Sequence, residues 1–283
     1  MPVKLEPSLV SHLVDIAFRE DFPAGDITTT SIFANEQGYA TISAKMRGIM
    51  AGLPLIKLIY HKLDPTIQIE LLVAEGSPVT TGSKVATISG PIRSILIGER
   101  TCLNFLQRIS GIATATHRSI SLMADSKTRI VDTRKTIPGW RYLDKYAVSI
   151  GGGQNHRLSL SDAVMIKDNH IRGAGGITQA VSAVRCTIPL TAKIEVEVSS
   201  LAEVKEALHA KVDIIMLDNM SISVMREAIA YIGDQSAVEI SGNVTVDTLP
   251  QLINLGADYI SIGALTHSVT AFDLSMNIEQ KGI

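Results

Sequence analysis

The sequence predicts an α/β protein whose larger part is a parallel sheet, and three observations support this fold class. Short apolar segments recur from residue 129 onward, near residues 129–132, 163–167, 193–198, 213–217, 237–241 and 258–262. Most of them precede segments with helical spacing, such as SLAEVKEALHA and SVMREAIAYIG. Because parallel strands need right-handed crossovers, this alternation predicts either a barrel or an open doubly wound sheet.

The first part of the chain predicts a mixed set of helices and strands. One helical face is formed by Leu9, Leu13, Ile16 and Ala17, which predicts a helix that ends near Asp21, before the turn residues Pro23 and Gly25. Four elements are expected to follow: a strand region over 39–52, a helix over 55–63, short strands over 66–91, and two helices over 94–124 broken at Ser110–Gly111.

Composition excludes several kinds of partner. The chain has 283 residues, is 46% hydrophobic and carries a formal net charge of -2, which suits one large domain or two smaller ones. This charge gives no general attraction to nucleic acid or to a membrane surface, so neither is expected as a partner. No apolar run reaches the roughly 18 residues of a membrane span, and no signal peptide is evident. The two cysteines, Cys102 and Cys186, are too few for a disulfide framework, which favours the cytoplasm.

Alternation within the strands predicts carboxylates in the interior of the parallel sheet. In the segment KIEVEV, a period of two places Lys193, Glu195 and Glu197 on one face and the apolar residues on the other. Glu239 and Ser241 share a polar face in the same way. Helices are expected to cover the apolar faces, so the polar faces point inward. Isolated buried carboxylates are costly and need cations, metals or hydroxyl groups as partners.

Four cations lie at the carboxyl ends of the predicted strands or in the loops just beyond: Arg134, Lys135, Arg157 and Lys167. Taken singly, each is explained as a solvated charge or as the partner of a carboxylate. As a set they repel one another unless an anion joins them, and active sites of parallel barrels lie at this end of the strands. Each charge-assisted hydrogen bond to an anion contributes about 1.5–3 kcal/mol, so a compact polyanionic substrate is predicted.

Small residues follow the last two predicted strands, in Ser241-Gly-Asn-Val and in Gly263-Ala-Leu-Thr-His. Backbone N–H groups can approach a phosphate there, although a glycine after a strand is by itself only a turn signal. Glu197 and Asp218 end neighbouring strands, where carboxylates can hold Mg²⁺ or the hydroxyl groups of a ribose. A structural ion pair with a strand lysine is the alternative that spacing alone leaves open.

The motifs together resemble a known family. DTRKT (132–136), GGGQNHR (151–157) and KDNH (167–170), in this order and at this separation, resemble quinolinate phosphoribosyltransferase, also called nicotinate-nucleotide pyrophosphorylase (carboxylating). Further matching segments are EDFPAGDITT, KMRGIMAGLP, GERTCLNFLQRISGIAT, IEVEV, MLDNM, EISGNV and ISIGALTHS. The resemblance covers nearly the whole chain.

The resemblance implies a fold and a reaction. The expected fold is an incomplete parallel α/β barrel of about six to seven strands at residues 113–267, plus an N-terminal α/β sandwich domain at residues 1–112 on which residues 268–283 pack back. The implied enzyme is a pentosyltransferase with Mg²⁺ as cofactor. It converts quinolinate and phosphoribosyl pyrophosphate to nicotinate mononucleotide, pyrophosphate and carbon dioxide in de novo NAD biosynthesis. The implied assembly is a homodimer, or a larger oligomer built from dimers, in which Arg100 reaches the active site of the neighbouring subunit.

The resemblance also implies roles for individual residues. The expected substrate-binding residues are Arg100, Thr133, Arg134, Lys135, His156, Arg157, Lys167, Glu197, Asp218, Ser241, Gly242, Asn243, Gly263 and His267. Of these, the expected catalytic residues are Lys135, Lys167, Glu197 and Asp218, and the expected metal ligands are Glu197 and Asp218. Asn243 stands where many family members have a second glycine.

Three alternatives stay open at this point. Lys45, with the later segment EGSPVTTGSKVATI, is similar to the modified lysine of a biotin or lipoyl carrier, although residues 55–63 predict a helix that an all-β carrier lacks. Lys167 on its strand would also suit a Schiff-base aldolase. The nearest rival is a paralogue of the resembled family linked to molybdenum transport, which shares much of the framework.

Overall fold

The chain divides into two units, and the main sheet of each unit is of a different kind. The computed structural model describes residues 5–123 and 126–279. The first unit takes in the described residues of Met1–His117, Ile137–Gly152 and Val269–Ile283, and the second unit those of Arg118–Thr136 and Gly153–Ser268. The domain boundaries expected from the resemblance stay a prediction. Residues 137–152, which those boundaries assign to the barrel, group with the first unit.

The first unit contains a four-stranded antiparallel sheet with the order β12-β1-β5-β3. Its elements are α1 (Pro7–Asp21), α2 (Ile27–Ile32), β1 (Gln37–Ala44), β2 (Gly48–Ile49), α3 (Leu53–Leu63), β3 (Gln68–Leu71), β4 (Pro78–Val79), β5 (Lys84–Pro91), most of α4 (Ile92–Ser121), α5 (Arg141–Ile150) and β12 (Leu274–Glu279). Because β12 pairs antiparallel with β1, the last described strand of the chain forms an edge of the N-terminal sheet.

The helices predicted to end near Asp21 and to span residues 55–63 are confirmed as α1 and α3. The carboxylate of Glu75 accepts the backbone N–H groups of Gly52 and Leu53, at 2.6 and 2.9 Å, where α3 begins. A negative charge is favoured there by the helix dipole. The hydroxyl of Tyr146 donates to the same carboxylate at 2.7 Å. With α3 between its strands, this region is not the all-β fold of a carrier domain.

One continuous helix, α4, replaces the two helices predicted over 94–124, so the predicted break at Ser110–Gly111 is wrong. The Ser110 hydroxyl accepts the N–H of Ala51 at 3.0 Å and donates to the carbonyl of the same residue at 3.1 Å. A Cβ at Gly111 would collide with the carbonyl oxygen of Thr270. The two residues therefore permit close packing against an unbroken helix. Neither α4 nor any other helix in the described chain is long and apolar enough to cross a membrane.

A six-stranded parallel sheet with the order β6-β11-β10-β9-β8-β7 is the frame of the second unit. Its elements are β6 (Arg129–Val131), β7 (Val164–Ile166), α6 (Asp168–Ala174), α7 (Ile177–Arg185), β8 (Ile194–Val198), α8 (Leu201–His209), β9 (Ile214–Asp218), α9 (Ile222–Ile232), β10 (Ala237–Ser241), α10 (Leu249–Ile253), β11 (Tyr259–Ser261) and α11 (Ala264–His267). All six predicted apolar segments are strands. Over the described residues, the edge strands β6 and β7 do not pair with each other, so the barrel is incomplete.

The predicted inward carboxylates are confirmed. Glu195 on β8 and Glu239 on β10 are only 3% and 2% exposed. Residues on the opposite face of β8, such as Val196, are buried as well, as expected of parallel strands covered on both faces. Lys193, predicted to share the polar face, precedes β8 and is exposed. The two glutamates therefore need partners other than Lys193.

Candidate active site

The carboxyl ends of the six parallel strands surround a cavity of about 800 Å³ in the second unit. Parallel strands bring their carboxyl ends to one edge of the sheet, so residues far apart in sequence meet there. A volume of this size lies within the range of small-molecule binding sites. Each strand, or the loop after it, contributes lining residues: Arg134 after β6, Lys167 after β7, Glu197 on β8, Asp218 on β9, Ser241 on β10 and Gly263 after β11.

Every predicted site residue except Arg100 lines this cavity: Thr133, Arg134, Lys135, His156, Arg157, Lys167, Glu197, Asp218, Ser241, Gly242, Asn243, Gly263 and His267. Arg100 lies on α4 in the first unit and is exposed. The cavity brings the predicted residues together, and the chemical role of each stays a prediction.

Asp132 holds the loop that carries His156 and Arg157 against the end of β6. Asp132 is fully buried directly after this strand. Its Oδ2 accepts a hydrogen bond from Nδ2 of Asn155 at 2.6 Å, and its Oδ1 accepts the backbone N–H of His156 at 2.9 Å. A buried carboxylate needs hydrogen-bond donors for its oxygens, and Asn155 and His156 supply them. These two hydrogen bonds fix the backbone of the loop.

The imidazole of His156 lies between two buried carboxylates. Nε2 is 3.1 Å from Oε2 of Glu195 and 3.4 Å from Oε2 of Glu239, and Nδ1 accepts the backbone N–H of Arg157 at 2.7 Å. Burial lowers the pKa of His156, but the hydrogen bonds and charges of the two glutamates outweigh burial and raise the pKa to about 10. Nδ1 accepts a hydrogen bond and therefore carries no proton, so the proton of the ring lies on Nε2. The further proton that the raised pKa retains is shared between Nε2 and the Oε2 atoms of Glu195 and Glu239.

The guanidinium of Arg134 lies close enough to that of Arg157 to affect the pKa of Arg157. Burial, followed by the charge of Arg134, lowers the pKa of Arg157, while Glu195 and Asp162 act in the opposite direction. Nη1 of Arg157 donates to the carbonyl of Ala163 at 3.0 Å. Nε of Arg134 is buried and has no hydrogen-bond partner among the residues that the structure describes. Such a pair of forked donors suits an anion with planar carboxylates.

The two predicted metal ligands end adjacent strands. Glu197 forms an ion pair with Lys167, so the structural alternative predicted for it is present. Asp218 accepts a hydrogen bond from Nδ2 of Asn219 at 2.7 Å. Both carboxylates line the cavity. Their donor set, two carboxylates beside a cavity with room for a phosphate-containing ligand, fits Mg²⁺, which takes few protein ligands and completes its shell with water and phosphate oxygens.

The turn after β10, where the sequence predicts a phosphate site, contains two successive residues with positive φ. Gly242 and Asn243 have φ values of 98° and 50°. A Cβ at Gly242 would lie 2.7 Å from the backbone nitrogen of Asn219, which only glycine avoids. Asparagine is among the residues that tolerate the left-handed region best, so the positive φ at Asn243 costs less than it would for most other side chains. Its Nδ2 donates to Oδ1 of Asn219 at 3.1 Å.

The turn after β11 is packed against the lysine that follows β6. A Cβ at Gly263 would lie 2.9 Å from Cδ of Lys135. The hydroxyl of Thr266 donates to the carbonyl of Lys135 at 2.8 Å. Glycine at 263 therefore leaves space for the lysine side chain beside the predicted phosphate turn.

Several lining residues were not predicted. Met165 on β7 and Met216 on β9 line the cavity. Asn219, directly after β9, lines it as well. Strand parity indicates which methionines face inward, but a methionine in an apolar strand has the same pattern as any core residue. Asn219 carries no sequence signal beyond its position after Asp218.

Comparison with known proteins identifies relatives over nearly the full length. The family profile described as "Quinolinate phosphoribosyl transferase, N-terminal domain" matches residues 26–110, and the profile of the corresponding C-terminal domain matches residues 112–277. The chain is 45% identical over 262 residues to a probable nicotinate-nucleotide pyrophosphorylase (carboxylating) of Synechocystis, covering 92% of this chain and 89% of the relative. It is 41% identical over 269 residues to the probable nicotinate-nucleotide pyrophosphorylase (carboxylating) of Bacillus subtilis, covering 95% and 93%. The crystal structure of NadC from Streptococcus pyogenes is similar with a TM-score of 0.95 at 40% identity, covering 99% of both chains.

Proposed function

The chain belongs to the quinolinate phosphoribosyltransferase family, and we propose that it transfers a phosphoribosyl group from phosphoribosyl pyrophosphate to quinolinate with loss of carbon dioxide. The products are nicotinate mononucleotide and pyrophosphate, and the reaction serves NAD biosynthesis. The observation that carries the proposal is the cavity of the second unit, because a cluster of cations and two glycine-containing turns line the same space.

Quinolinate is a flat ring with two adjacent carboxylates, and the cations after β6 and β7 match this shape. Arg134 and Arg157 each present a planar fork of donors that suits a carboxylate. Lys167 adds a third positive charge to the lining of the same cavity. An anion here relieves the repulsion through which Arg134 lowers the pKa of Arg157. Met216, 4% exposed, offers an apolar surface to the ring.

The phosphoribosyl end of the donor substrate is assigned to a second group of cavity residues, which lie after β6, β10 and β11. Lys135 supplies a positive charge beside the turn at Gly263. The left-handed backbone at Gly242 and Asn243 suits the exposure of N–H groups to a 5′-phosphate. His267 lines the cavity next to Gly263.

Glu197 and Asp218 are proposed to bind the ribose and Mg²⁺. When bound, Mg²⁺ neutralises the charge of the pyrophosphate leaving group. The two carboxylates face the sugar on which positive charge develops as the bond from C1′ to pyrophosphate breaks and the bond from C1′ to the pyridine nitrogen forms. A preorganised negative charge stabilises that state because it needs no rearrangement during the reaction.

The second step follows from the charge that the first step creates. The pyridine nitrogen becomes positive once it is bonded to C1′. Loss of carbon dioxide leaves an electron pair on C2, next to this nitrogen, which stabilises it until a proton is taken up. The cations around Arg134 and Arg157 hold the ring during this step, and no single residue is assigned as a general base.

The proposed function is tested by release of labelled carbon dioxide from the C2 carboxylate of quinolinate. Release is expected only when phosphoribosyl pyrophosphate and Mg²⁺ are both present, in a one-to-one ratio with nicotinate mononucleotide. A folded protein that releases no carbon dioxide under these conditions would contradict the proposal and favour the paralogue linked to molybdenum transport.

Replacement of Arg157 by alanine is expected to weaken quinolinate binding at least about tenfold, since one lost charge-assisted contact costs roughly 1.5–3 kcal/mol. Thermal stability should change little or rise, because removal of this guanidinium relieves its repulsion with Arg134. Calorimetric titration with quinolinate measures the first effect and a thermal melt measures the second. Unchanged affinity in a folded Arg157→Ala protein would remove Arg157 from the dicarboxylate site.

The proposal extends to assembly and location. We propose a homodimer, in which Arg100 of one subunit completes the cavity of its partner. This rests on the family resemblance and on the exposure of Arg100 on α4. A cytoplasmic location is proposed because Cys102 and Cys186 are both free thiols, as is usual in a reducing compartment.

A further inference from the structure

Two buried carboxylates beside an anion-binding cavity require an explanation. Glu195 and Glu239 lie on β8 and β10, on either side of β9, and are 3% and 2% exposed. Burial of two like charges costs several kcal/mol per ion, and apolar residues of similar size often give a more stable protein. Negative charge in this place also opposes the binding of an anion. The glutamates therefore have a use that outweighs both costs.

Both carboxylates contact the ring of His156. Nε2 points at the two carboxylates, and Nδ1 is occupied by the backbone N–H of Arg157. The backbone N–H of His156 is bonded to Asp132. Both ring nitrogens are thus bonded within the protein, and neither is available as a donor to a carboxylate in the cavity.

Arg157 is the residue through which this arrangement reaches the cavity. Its backbone position depends on the bond to Nδ1 of His156. Its guanidinium experiences the charges of both Arg134 and Glu195, in opposite directions. The carboxylates therefore orient the imidazole, the imidazole holds the backbone of Arg157, and the charge of Glu195 offsets part of the repulsion between the two arginines.

We propose that Glu195 and Glu239 are positioning residues that hold the His156 ring, so that His156 acts by placing Arg157 and not by contacting the substrate. This inference deepens the proposed function, on which it rests for the identity of quinolinate. It differs from the role expected for His156, which was direct binding of the dicarboxylate. We call Glu195, Glu239 and His156 the imidazole cradle.

A metal ion is the alternative occupant of the imidazole cradle. One oxygen of each glutamate and one nitrogen of His156 lie within 4.8 Å of one another, a set that suits a divalent cation. The second oxygen of each glutamate, Oε1, is buried and unbonded among residues 5–123 and 126–279. A cation at this place would have to replace the proton on Nε2.

The test compares Glu239→Gln and Glu195→Gln with the wild-type protein. Glutamine keeps the size of the side chain, but its amide cannot replace both carboxylate oxygens as acceptors, so the ring should lose its fixed orientation. We expect quinolinate affinity to fall at least about tenfold in each variant, with phosphoribosyl pyrophosphate affinity changed by less than about twofold. In a double-mutant cycle, Glu239→Gln should add little to the loss caused by His156→Ala, because the glutamate acts through that ring.

Glu75→Gln is the matched control. Glu75 is another largely buried carboxyl group with several hydrogen bonds, but it lies in the first unit. Its replacement should lower stability and leave quinolinate affinity unchanged. Wild-type affinity in both folded cradle variants, or full additivity with His156→Ala, would overturn the proposal.

A spectroscopic measurement keeps the proposal testable if the cradle variants fail to fold. Nitrogen-15 spectra of the wild-type protein should show His156 with a proton on Nε2 and with Nδ1 as an acceptor, before and after addition of quinolinate. A Nδ1 signal that changes to a donor on quinolinate binding, or a stoichiometric metal ion on the ring, would overturn it. If the wild-type protein does not bind quinolinate at all, the proposed function fails. The nitrogen-15 signals of His156 still show whether Glu195 and Glu239 hold its ring in the proposed orientation.

Discussion

A mixture of Arg100→Ala and Lys167→Ala proteins is expected to regain activity that neither variant shows alone. Lys167 lines the cavity of its own subunit, whereas Arg100 is proposed to enter the cavity of the partner. In a two-fold dimer each site is then built from both subunits. A heterodimer of the two variants contains one site with both defects and one site with neither. Random re-association should therefore restore about one quarter of the wild-type activity, measured as carbon dioxide release.

The control for this experiment uses two variants of the same cavity. Lys167→Ala and Asp218→Asn both change residues that line one cavity of one chain, so each site of their heterodimer keeps one defect and no activity should return. Heterodimers are counted by native mass spectrometry with differently tagged chains. If Arg100→Ala and Lys167→Ala form heterodimers without recovery, Arg100 acts within its own chain or has no part in the reaction.

The strands and the interior carboxylates could be predicted because their signal is local. A period of two fixes which side of a strand a residue faces, and this placed Glu195 and Glu239 in the interior. The ends of parallel strands converge, which brought the cations after β6 and β7 to the same cavity. These inferences require no knowledge of which residue contacts which.

The continuity of α4 and the bonding of His156 could not be predicted, because both depend on contacts between distant segments. Ser110–Gly111 has the composition of a helix break, and only the neighbouring backbone of Ala51 and Thr270 explains why the helix continues. The His156 motif predicted a residue at the cavity. That Nε2 of its ring is already bonded depends on strands 39 and 83 residues further along the chain, where Glu195 and Glu239 lie.

Replacement of Arg108 by methionine is expected to destabilise the first unit by about 3–5 kcal/mol, because it breaks a buried ion pair by removing its cation. Asp144 is fully buried in the first turn of α5. Nε and Nη2 of Arg108 donate to its two oxygens at 3.0 and 2.8 Å. The guanidinium also lies 5.8 Å from the ring centre of Trp140. Since Trp140 is the single tryptophan of the sequence, its fluorescence reports denaturant unfolding of this region directly.

Arg118→Met is the control for this prediction, since Arg118 lies on the same helix but is exposed. Its replacement should change the free energy of unfolding by less than about 0.5 kcal/mol. The double variant Arg108→Met/Asp144→Leu should be more stable than Arg108→Met alone, because it removes the buried charge together with its partner. If Arg108→Met unfolds at the same denaturant concentration as Arg118→Met, the ion pair does not stabilise this unit. If the double variant is no more stable than Arg108→Met, the loss comes from packing against Trp140 and not from the ion pair with Asp144.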